Sequence, residues 1–121
     1  MIRRPLNTRF NVAVERDEKI TTIRDRAWPL DVPIMLYNWI GLPYRTKQKE
    51  RCSVTVVKTC DIVISRFDDA INYVHSMDLP RPLWSCEGFD DQQDMDAWFA
   101  TKLKVGQSVT KVLHLFTRNQ A

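Results

Sequence analysis

The chain has 121 residues, a net charge of +3, 44% hydrophobic residues and 27% charged residues, a composition typical of one ordinary globular domain. Such a composition excludes extensive disorder, and no apolar run approaches the roughly 20 residues of a membrane-spanning helix. The basic N-terminal residues lead into no apolar stretch, which argues against a secretory signal. We therefore expect one cytoplasmic domain over residues 1–121, frayed only at Met1–Arg4 and Asn119–Ala121.

The spacing of the cysteines and the distribution of charge further limit the class of protein and the kinds of site it can contain. Cys52, Cys60 and Cys86 form no Cys-x-x-Cys pair, which argues against a disulfide framework and a structural zinc site and favours reduced, buried thiols. Residues 1–51 carry eleven Lys/Arg against six Asp/Glu, whereas residues 52–121 carry seven against nine. The basic first half is compatible with a polyanionic partner such as RNA, and equally with a polar surface that only faces solvent.

The first elements in chain order are mainly strands. Phe10–Arg16 fits a strand or a helix, because its apolar residues match both periods. Ile20–Arg24 and Ile34–Trp39 are rich in β-branched and aromatic residues, which predicts strands. Tyr44–Arg51 is polar and basic and is predicted to be a loop.

The middle of the chain alternates apolar and polar residues. Ser53–Val57 and Asp61–Phe67 are predicted to be a strand pair or one bent strand. Asp68–Met77 is predicted to be a short helix, because Ala70, Ile71 and Val74 share a helix face. Asp78–Ser85 contains two prolines and is predicted to be a loop.

The last third predicts one helix and one strand. Asp90 or Asp91 is a suitable N-cap for a helix that Gly106 would end, and Val109–Thr117 is predicted to be the closing strand. The helix carries apolar residues at helical spacing: Met95, Trp98, Phe99 and Leu103. Short strands without regular helical crossovers favour an α+β fold built on a small β-barrel, with two or three short flanking helices.

One segment combines basic and hydroxyl side chains in a pattern suited to a site: Lys19-Ile20-Thr21-Thr22-Ile23-Arg24. On a strand, Lys19 and Thr21 would share one face, and Thr22 and Arg24 the other. Because Lys19 lies at the turn, its long side chain could still reach the Thr22 side. Spacing alone favours an amphipathic edge strand with exposed polar residues.

The same segment, directly after a turn, resembles the Gly-x-Lys-x-x-Thr-Ile-Arg hallmark of the ASCH family. Two features depart from the family: Asp17 stands where the family pattern has glycine, and the Tyr44–Arg51 loop is longer than in the smallest deacetylating members. A second motif is similar to that family: Glu87-Gly88-Phe89 precedes an acidic, aromatic segment with Trp98-Phe99. The resemblance spans roughly Phe10 to Phe116 and implies a PUA-like β-barrel with a cleft beside the first motif.

The resemblance also implies roles for individual residues. Known or proposed activities in the family are RNA binding, RNA cleavage and, in small bacterial members, removal of the acetyl group from 4-acetylcytidine. The deacetylating members use a lysine, a threonine and a glutamate, which match Lys19, Thr22 and Glu87. Thr22 would then be the nucleophile, Lys19 its base if burial and the nearby Arg24 lower the lysine pKa, and Glu87 the proton shuttle. Arg24 would stabilise the oxyanion or orient Glu87, and no metal or cofactor is required.

Several alternatives stay open on the sequence. Lys19 and Glu87 could form an ordinary ion pair at the barrel mouth, with Thr22 a plain strand residue. Tyr44, Arg45 and Lys47 have the composition of a loop that holds phosphates and stacks a base. The chain could therefore be an amidohydrolase, a non-catalytic RNA-binding module, a ribonuclease or a regulatory protein-interaction domain. RNA or a modified nucleoside is the expected partner, with no membrane and no obligate protein partner. Trp28 is predicted to pack, and neither His75 nor His114 is predicted to be catalytic.

Overall fold

In the computed structural model, which describes residues 2–41 and 47–120, the chain combines a predominant β-sheet with short helices. The strands are β1 (Ile2–Pro5), β2 (Thr21–Arg24), β3 (Pro33–Trp39), β4 (Gln48–Phe67), β5 (Ala70–His75) and β6 (Ser108–Arg118). The α-helices are α1 (Asn11–Glu15), α2 (Leu83–Glu87) and α3 (Gln92–Ala100), and a 3-10 turn at Thr8–Phe10 precedes α1. The α+β class predicted from the sequence is confirmed.

The 20-residue strand β4 organises the sheet. Its first part pairs antiparallel with β3, its middle and last parts with β6, and its end also with β5. The sheet order is β1-β3-β4-β6-β2, with β1 parallel to β3 and β2 antiparallel to β6. Among the described residues no pairing joins the end strands β1 and β2, so the paired strands do not form a closed barrel.

The core lies between the sheet and the short helices. Alternate positions of β4 point inward, so that Val54, Val56, Ile62 and Ile64 are fully buried. Helical residues complete the same cluster from the other side: Phe10, Val14, Met95 and Phe99. Burial of these side chains is the main stabilising term available to the fold.

Several sequence predictions are confirmed element by element. The strands predicted at Ile20–Arg24, Ile34–Trp39 and Val109–Thr117 correspond to β2, β3 and β6. Asp91 caps α3 by accepting a hydrogen bond from the backbone N–H of Asp94 at 2.7 Å. The two alternating stretches within 53–67 belong to one continuous strand, and the ambiguous Phe10–Arg16 is mostly helical.

The helix predicted over Asp68–Met77 is wrong. Asp68 adopts a left-handed conformation with φ of 50°, so the chain reverses at once into β5, which pairs with the end of β4. Ile71 and Tyr73 then face inward on alternate positions. This period of two was not recognised in the sequence, because Ala70, Ile71 and Val74 also share a helix face. Pairing with a neighbouring strand decided the conformation here.

Other boundaries also differ from prediction. Ile2–Pro5 is not frayed, because it pairs in register with β3. Helix α2 begins at Leu83, inside the predicted loop Asp78–Ser85, with Pro82 as its N-cap. Helix α3 ends at Ala100 and not near Gly106, which with φ of 83° belongs to the turn before β6. Gln48–Arg51, predicted as loop, is strand, and none of the described helices is long and apolar enough to cross a membrane.

Candidate active site

The motif segment is fixed at both ends by backbone hydrogen bonds. The turn after α1 places Asp17 at φ of 58°, a left-handed conformation that aspartate adopts more readily than most residues, where the family pattern has glycine. The backbone N–H of Lys19 then donates to Ala13, and that of Ile20 donates to Cys86 in α2 at 2.8 Å. The carbonyl of Ile20 accepts from Phe116 in β6, so the motif lies between α2 and the sheet.

Lys19 and Glu87 form a buried ion pair. Each residue is 4% exposed, and Lys19 Nζ lies 3.7 Å from Glu87 Oε1. The same ammonium group donates to the Glu87 carbonyl oxygen at 2.8 Å and lies 4.7 Å from the centre of the Phe10 ring. The hydroxyl of Thr21 donates to the other carboxylate oxygen of Glu87. Lys19 and Thr21 thus contact one partner, as expected of alternate residues on one strand face.

The environment of Lys19 favours loss of its proton. Burial lowers the pKa of Lys19, the charge of Glu87 raises it and the positive charge of Arg24 lowers it, and together they bring it to about 8. A lysine that titrates near 8 presents a useful fraction of neutral amine at physiological pH, which an ordinary lysine does not. Such an amine can act as a general base.

Thr22 and Arg24 are held by a different set of contacts. Arg24 Nε donates to Thr22 Oγ1 at 2.9 Å, and the guanidinium lies 4.6 Å from the centre of the Trp28 ring. The fully buried His114 accepts the backbone N–H of Trp28 through Nε2 at 2.9 Å. Its Nδ1 lies 3.2 Å from the carbonyl oxygen of Thr22, which can only accept, so Nδ1 carries the proton.

As a neutral imidazole, His114 therefore connects the backbone of Thr22 in β2 to that of Trp28 in the loop after it. Burial lowers the pKa of His114, and the positive charge of Arg24 acts in the same direction. Protonation of Nε2 would remove the acceptor of the Trp28 N–H. The interpretation that neither histidine is catalytic is compatible with this position, since His114 holds backbone groups on both sides.

Several of the side chains of the motif and of α2 line a cavity of about 270 Å³. Lys19, Thr22, Arg24 and Glu87 line it, and Phe10, Phe89 and Trp98 form an aromatic wall. Ring centres in that wall are 5.3–5.8 Å apart with edge-to-face geometry. Cavities that combine apolar walls with a few convergent polar groups are typical of small-molecule sites.

The structure brings together four of the seven residues that the sequence nominated: Lys19, Thr22, Arg24 and Glu87. Lys47 is exposed just before β4 and does not line the cavity. Tyr44 and Arg45 lie outside the described residues. Four contributors to the site were missed in the sequence: Thr21, which contacts Glu87, and Phe10, Lys102 and Lys111 in the cavity lining.

The chemistry available at the site is that of its side chains. Among residues 2–41 and 47–120, no group of three or more His, Cys, Asp or Glu is arranged to hold a metal ion, and the three cysteines are free thiols. Comparisons with protein-family models, with curated proteins and with solved structures give no match for this chain.

Proposed function

We propose that this protein is an ASCH-type amidohydrolase that removes an acyl group from 4-acetylcytidine-type bases. The observation that carries the proposal is that Lys19 and Thr22 line the same cavity as Glu87, which is 68 residues from Lys19 in the sequence. The lowered pKa of Lys19 and the aromatic wall of the cavity support it, because the reaction needs a base at neutral pH and a surface for a nucleobase.

The proposed reaction uses only side chains and water. Thr22 Oγ1 attacks the acetyl carbonyl carbon as its proton passes to the neutral amine of Lys19. The bond between that carbon and N4 of cytosine breaks, and N4 takes a proton that Glu87 relays from the Lys19 ammonium group. The guanidinium of Arg24 donates to Thr22 Oγ1 at 2.9 Å. From this position it stabilises the negative charge that develops on the acetyl carbonyl oxygen. Water then cleaves the acetyl-threonine ester, giving acetate and free Thr22.

The same proposal assigns the sheet to the PUA-like barrel class. The long strand β4 supports this, since it pairs with β3 at its beginning and with β5 and β6 further along and so turns one sheet around the core. Closure into a barrel would require the two end strands of the order, β1 and β2, to come together.

The direct test is to incubate the purified protein with 4-acetylcytidine and to follow cytidine and acetate by chromatography. We expect turnover, with Lys19→Ala and Glu87→Ala each lowering kcat by about 100-fold or more, because each removes a proton-transfer group. Circular dichroism must show that both variants stay folded, since they leave a partner charge buried. A folded wild-type protein without turnover would overturn the proposed reaction.

Adjacent threonines provide a matched control for the nucleophile. Thr22→Val should abolish turnover, whereas Thr22→Ser should retain a large part of it, because the hydroxyl is kept. Thr21→Val removes the hydroxyl that donates to Glu87 but does not line the cavity, so turnover should fall by less. Mass spectrometry of rapidly quenched protein should detect an acetyl group on Thr22, and equal loss in Thr21→Val and Thr22→Val would contradict that role.

A second candidate is a non-catalytic module that binds RNA or a nucleoside in the same cavity. The observation in its favour is that Lys19, Thr21 and Glu87 already satisfy one another, as in a structural ion pair. Binding of cytidine without turnover of 4-acetylcytidine would select this candidate over the enzyme.

A further inference from the structure

The cavity has an excess of positive charge. Four basic residues line it, Lys19, Arg24, Lys102 and Lys111, against the two acidic residues Asp25 and Glu87. Lys19 pairs with Glu87, and Lys111 pairs with Asp25. Within the described parts of the chain, the other two cations of the lining, Arg24 and Lys102, have no carboxylate at ion-pair distance, although the charge of Glu87 acts on Arg24.

Arg24 is the cation in contact with Thr22. Its guanidinium is partly buried against Trp28 and Thr22; burial lowers its pKa, and the negative charge of Glu87 acts in the opposite direction. Among the described residues, its one side-chain hydrogen bond uses Nε, which leaves the two terminal nitrogens for the oxyanion of the proposed reaction. The oxyanion of the proposed reaction therefore accounts for Arg24, and the cations left for a second, anionic group of the ligand are Lys102 and Lys111.

Lys102 supplies a second cation at the cavity rim. It follows α3, is exposed, and its ammonium group lies 4.8 Å from the centre of the Trp98 ring. Trp98 belongs to the aromatic wall, so Lys102 lies beside the surface that the proposed base would contact. Lys111 is also at the rim, and the Asp25 side chain that it contacts is 82% exposed. An exposed pair of this kind is weak and can exchange its carboxylate for a stronger anion.

From these contacts we infer that the ligand of the cavity is a phosphate ester of a nucleoside, with Lys102 and Lys111 as its phosphate-binding residues. The inference rests on the proposed function for the base and adds the phosphate group. The shared chemistry is a cytidine phosphate, whether it is a mononucleotide or one residue of a single-stranded RNA.

The test is calorimetric binding, which does not depend on turnover. Cytidine, cytidine 5′-monophosphate, cytidine 3′-monophosphate and a short single-stranded oligocytidylate are titrated into the wild-type protein at about 50 mM salt. We expect at least one phosphate ester to bind about tenfold or more tightly than cytidine, because charge-assisted hydrogen bonds are added. Lys102→Gln should lower the affinity for that ester and leave the affinity for cytidine unchanged.

Lys104→Gln is the matched control, since Lys104 is exposed two residues further on and does not line the cavity. It should leave both affinities unchanged. If the oligocytidylate binds clearly more tightly than either monophosphate and with a steeper salt dependence, RNA is the source of the phosphate. If the oligocytidylate binds only as tightly as the better monophosphate, the ligand is a mononucleotide. Equal binding of cytidine and all its phosphate esters, no binding of any of them, or equal losses in Lys102→Gln and Lys104→Gln would overturn the inference. Because turnover of 4-acetylcytidine is measured separately, failure of the reaction and failure of the phosphate site remain distinguishable.

Discussion

Lys19 is the residue whose protonation state decides whether the proposed reaction can run. With its pKa lowered to about 8, the neutral fraction of Lys19 rises as the pH increases from 6 to 9. We expect kcat/KM for 4-acetylcytidine to rise about tenfold per pH unit below 8 and to level off above it, as for one essential base. The measurement is a pH–rate profile of the wild-type protein.

A variant of Arg24 tests the cause of that pKa. The positive charge of Arg24 lowers the pKa of Lys19, so Arg24→Gln should move the inflection of the profile to higher pH, whereas Arg24→Lys should leave it closer to the wild-type position. Both variants will lower the rate, because Arg24 contacts Thr22, so the position of the inflection is the informative quantity. An inflection that stays in place in Arg24→Gln would contradict a contribution of the Arg24 charge and leave burial and Glu87 as the causes.

His114 makes a prediction about stability in a lower pH range. Because burial holds its pKa below the ordinary 6.5, the unfolded chain binds more protons than the folded one around pH 6. Its contribution to stability is therefore complete above pH 6.5 and decreases as the pH falls, by at most about 1.4 kcal/mol per pH unit for one proton. Urea denaturation between pH 5 and 8 should show this slope.

Other groups with shifted pKa values act in a different range. Three carboxyl groups have pKa values below the ordinary 3.8 of aspartate in the folded protein: Asp17, Asp25 and Asp94. They therefore affect stability only at a pH more acidic than the range of His114. In His114→Asn the slope between pH 5 and 6.5 should disappear, provided the variant folds. A ring pKa at or above 6.5, measured by NMR in the wild-type protein, would contradict the proposed neutral role without requiring a variant.

At the level of elements, the end of α2 fixes the distance between the helix and the motif. Gly88 is the left-handed C-cap of α2 with φ of 91°, and a Cβ there would lie 3.1 Å from Lys19 Cβ and 3.2 Å from Phe10 Cδ1. Gly88→Ala should cost about 2–4 kcal/mol of unfolding free energy, as the sum of the conformational and crowding terms. Denaturant unfolding measures this loss.

Gly106 provides the comparison for Gly88. It has a similar φ of 83°, but no atom lies within 4 Å of an added Cβ. Gly106→Ala should therefore cost only the conformational term of about 1–2 kcal/mol. Equal losses in the two variants would show that α2 can shift away from Lys19 and that the close approach is not required.

The elements also show what a single sequence can predict. β2, β3 and β6 were predictable because their β-branched runs are bounded by clear breaks. β5 was not, because Ile71, Tyr73 and Val74 fit a helix face as well as an alternating strand, and only pairing with β4 separates the two. β1 was missed because its short, basic segment carries no pattern and forms a strand by parallel pairing with β3.

The site divides in the same way. Lys19, Thr22 and Arg24 occupy one short segment, so their spacing on a strand could be predicted directly. Glu87 lies 68 residues from Lys19, and only the family resemblance suggested that the two belong together. Lys102 and Lys111 follow no motif, since their relation to the cavity depends on how α3 and β6 pack.

At the scale of the whole molecule, the chain is expected to unfold as one unit. Buried residues from the 3-10 turn, α1, α3 and the strands β3 to β6 contribute to a single hydrophobic cluster, and residues 2–41 and 47–120 contain no second one. β4 strengthens this coupling, because it pairs with three other strands. A chain of this size with one core normally unfolds in a two-state transition.

Leu113→Ala tests that cooperativity. Leu113 is fully buried in β6, between Ile23 of β2 and Cys60 of β4 in the sheet, so its truncation should cost about 2–5 kcal/mol. If the molecule is one cooperative unit, tryptophan fluorescence and far-ultraviolet circular dichroism should give one shared midpoint in the wild-type protein. Both midpoints should then shift together in Leu113→Ala, because β6 pairs with both β2 and β4 and weaker packing of β6 destabilises both pairings. A second transition, or a shift in only one of the two signals, would show that the sheet and the helices around the cavity unfold separately, and the motif on β2 would then be only loosely coupled to Glu87.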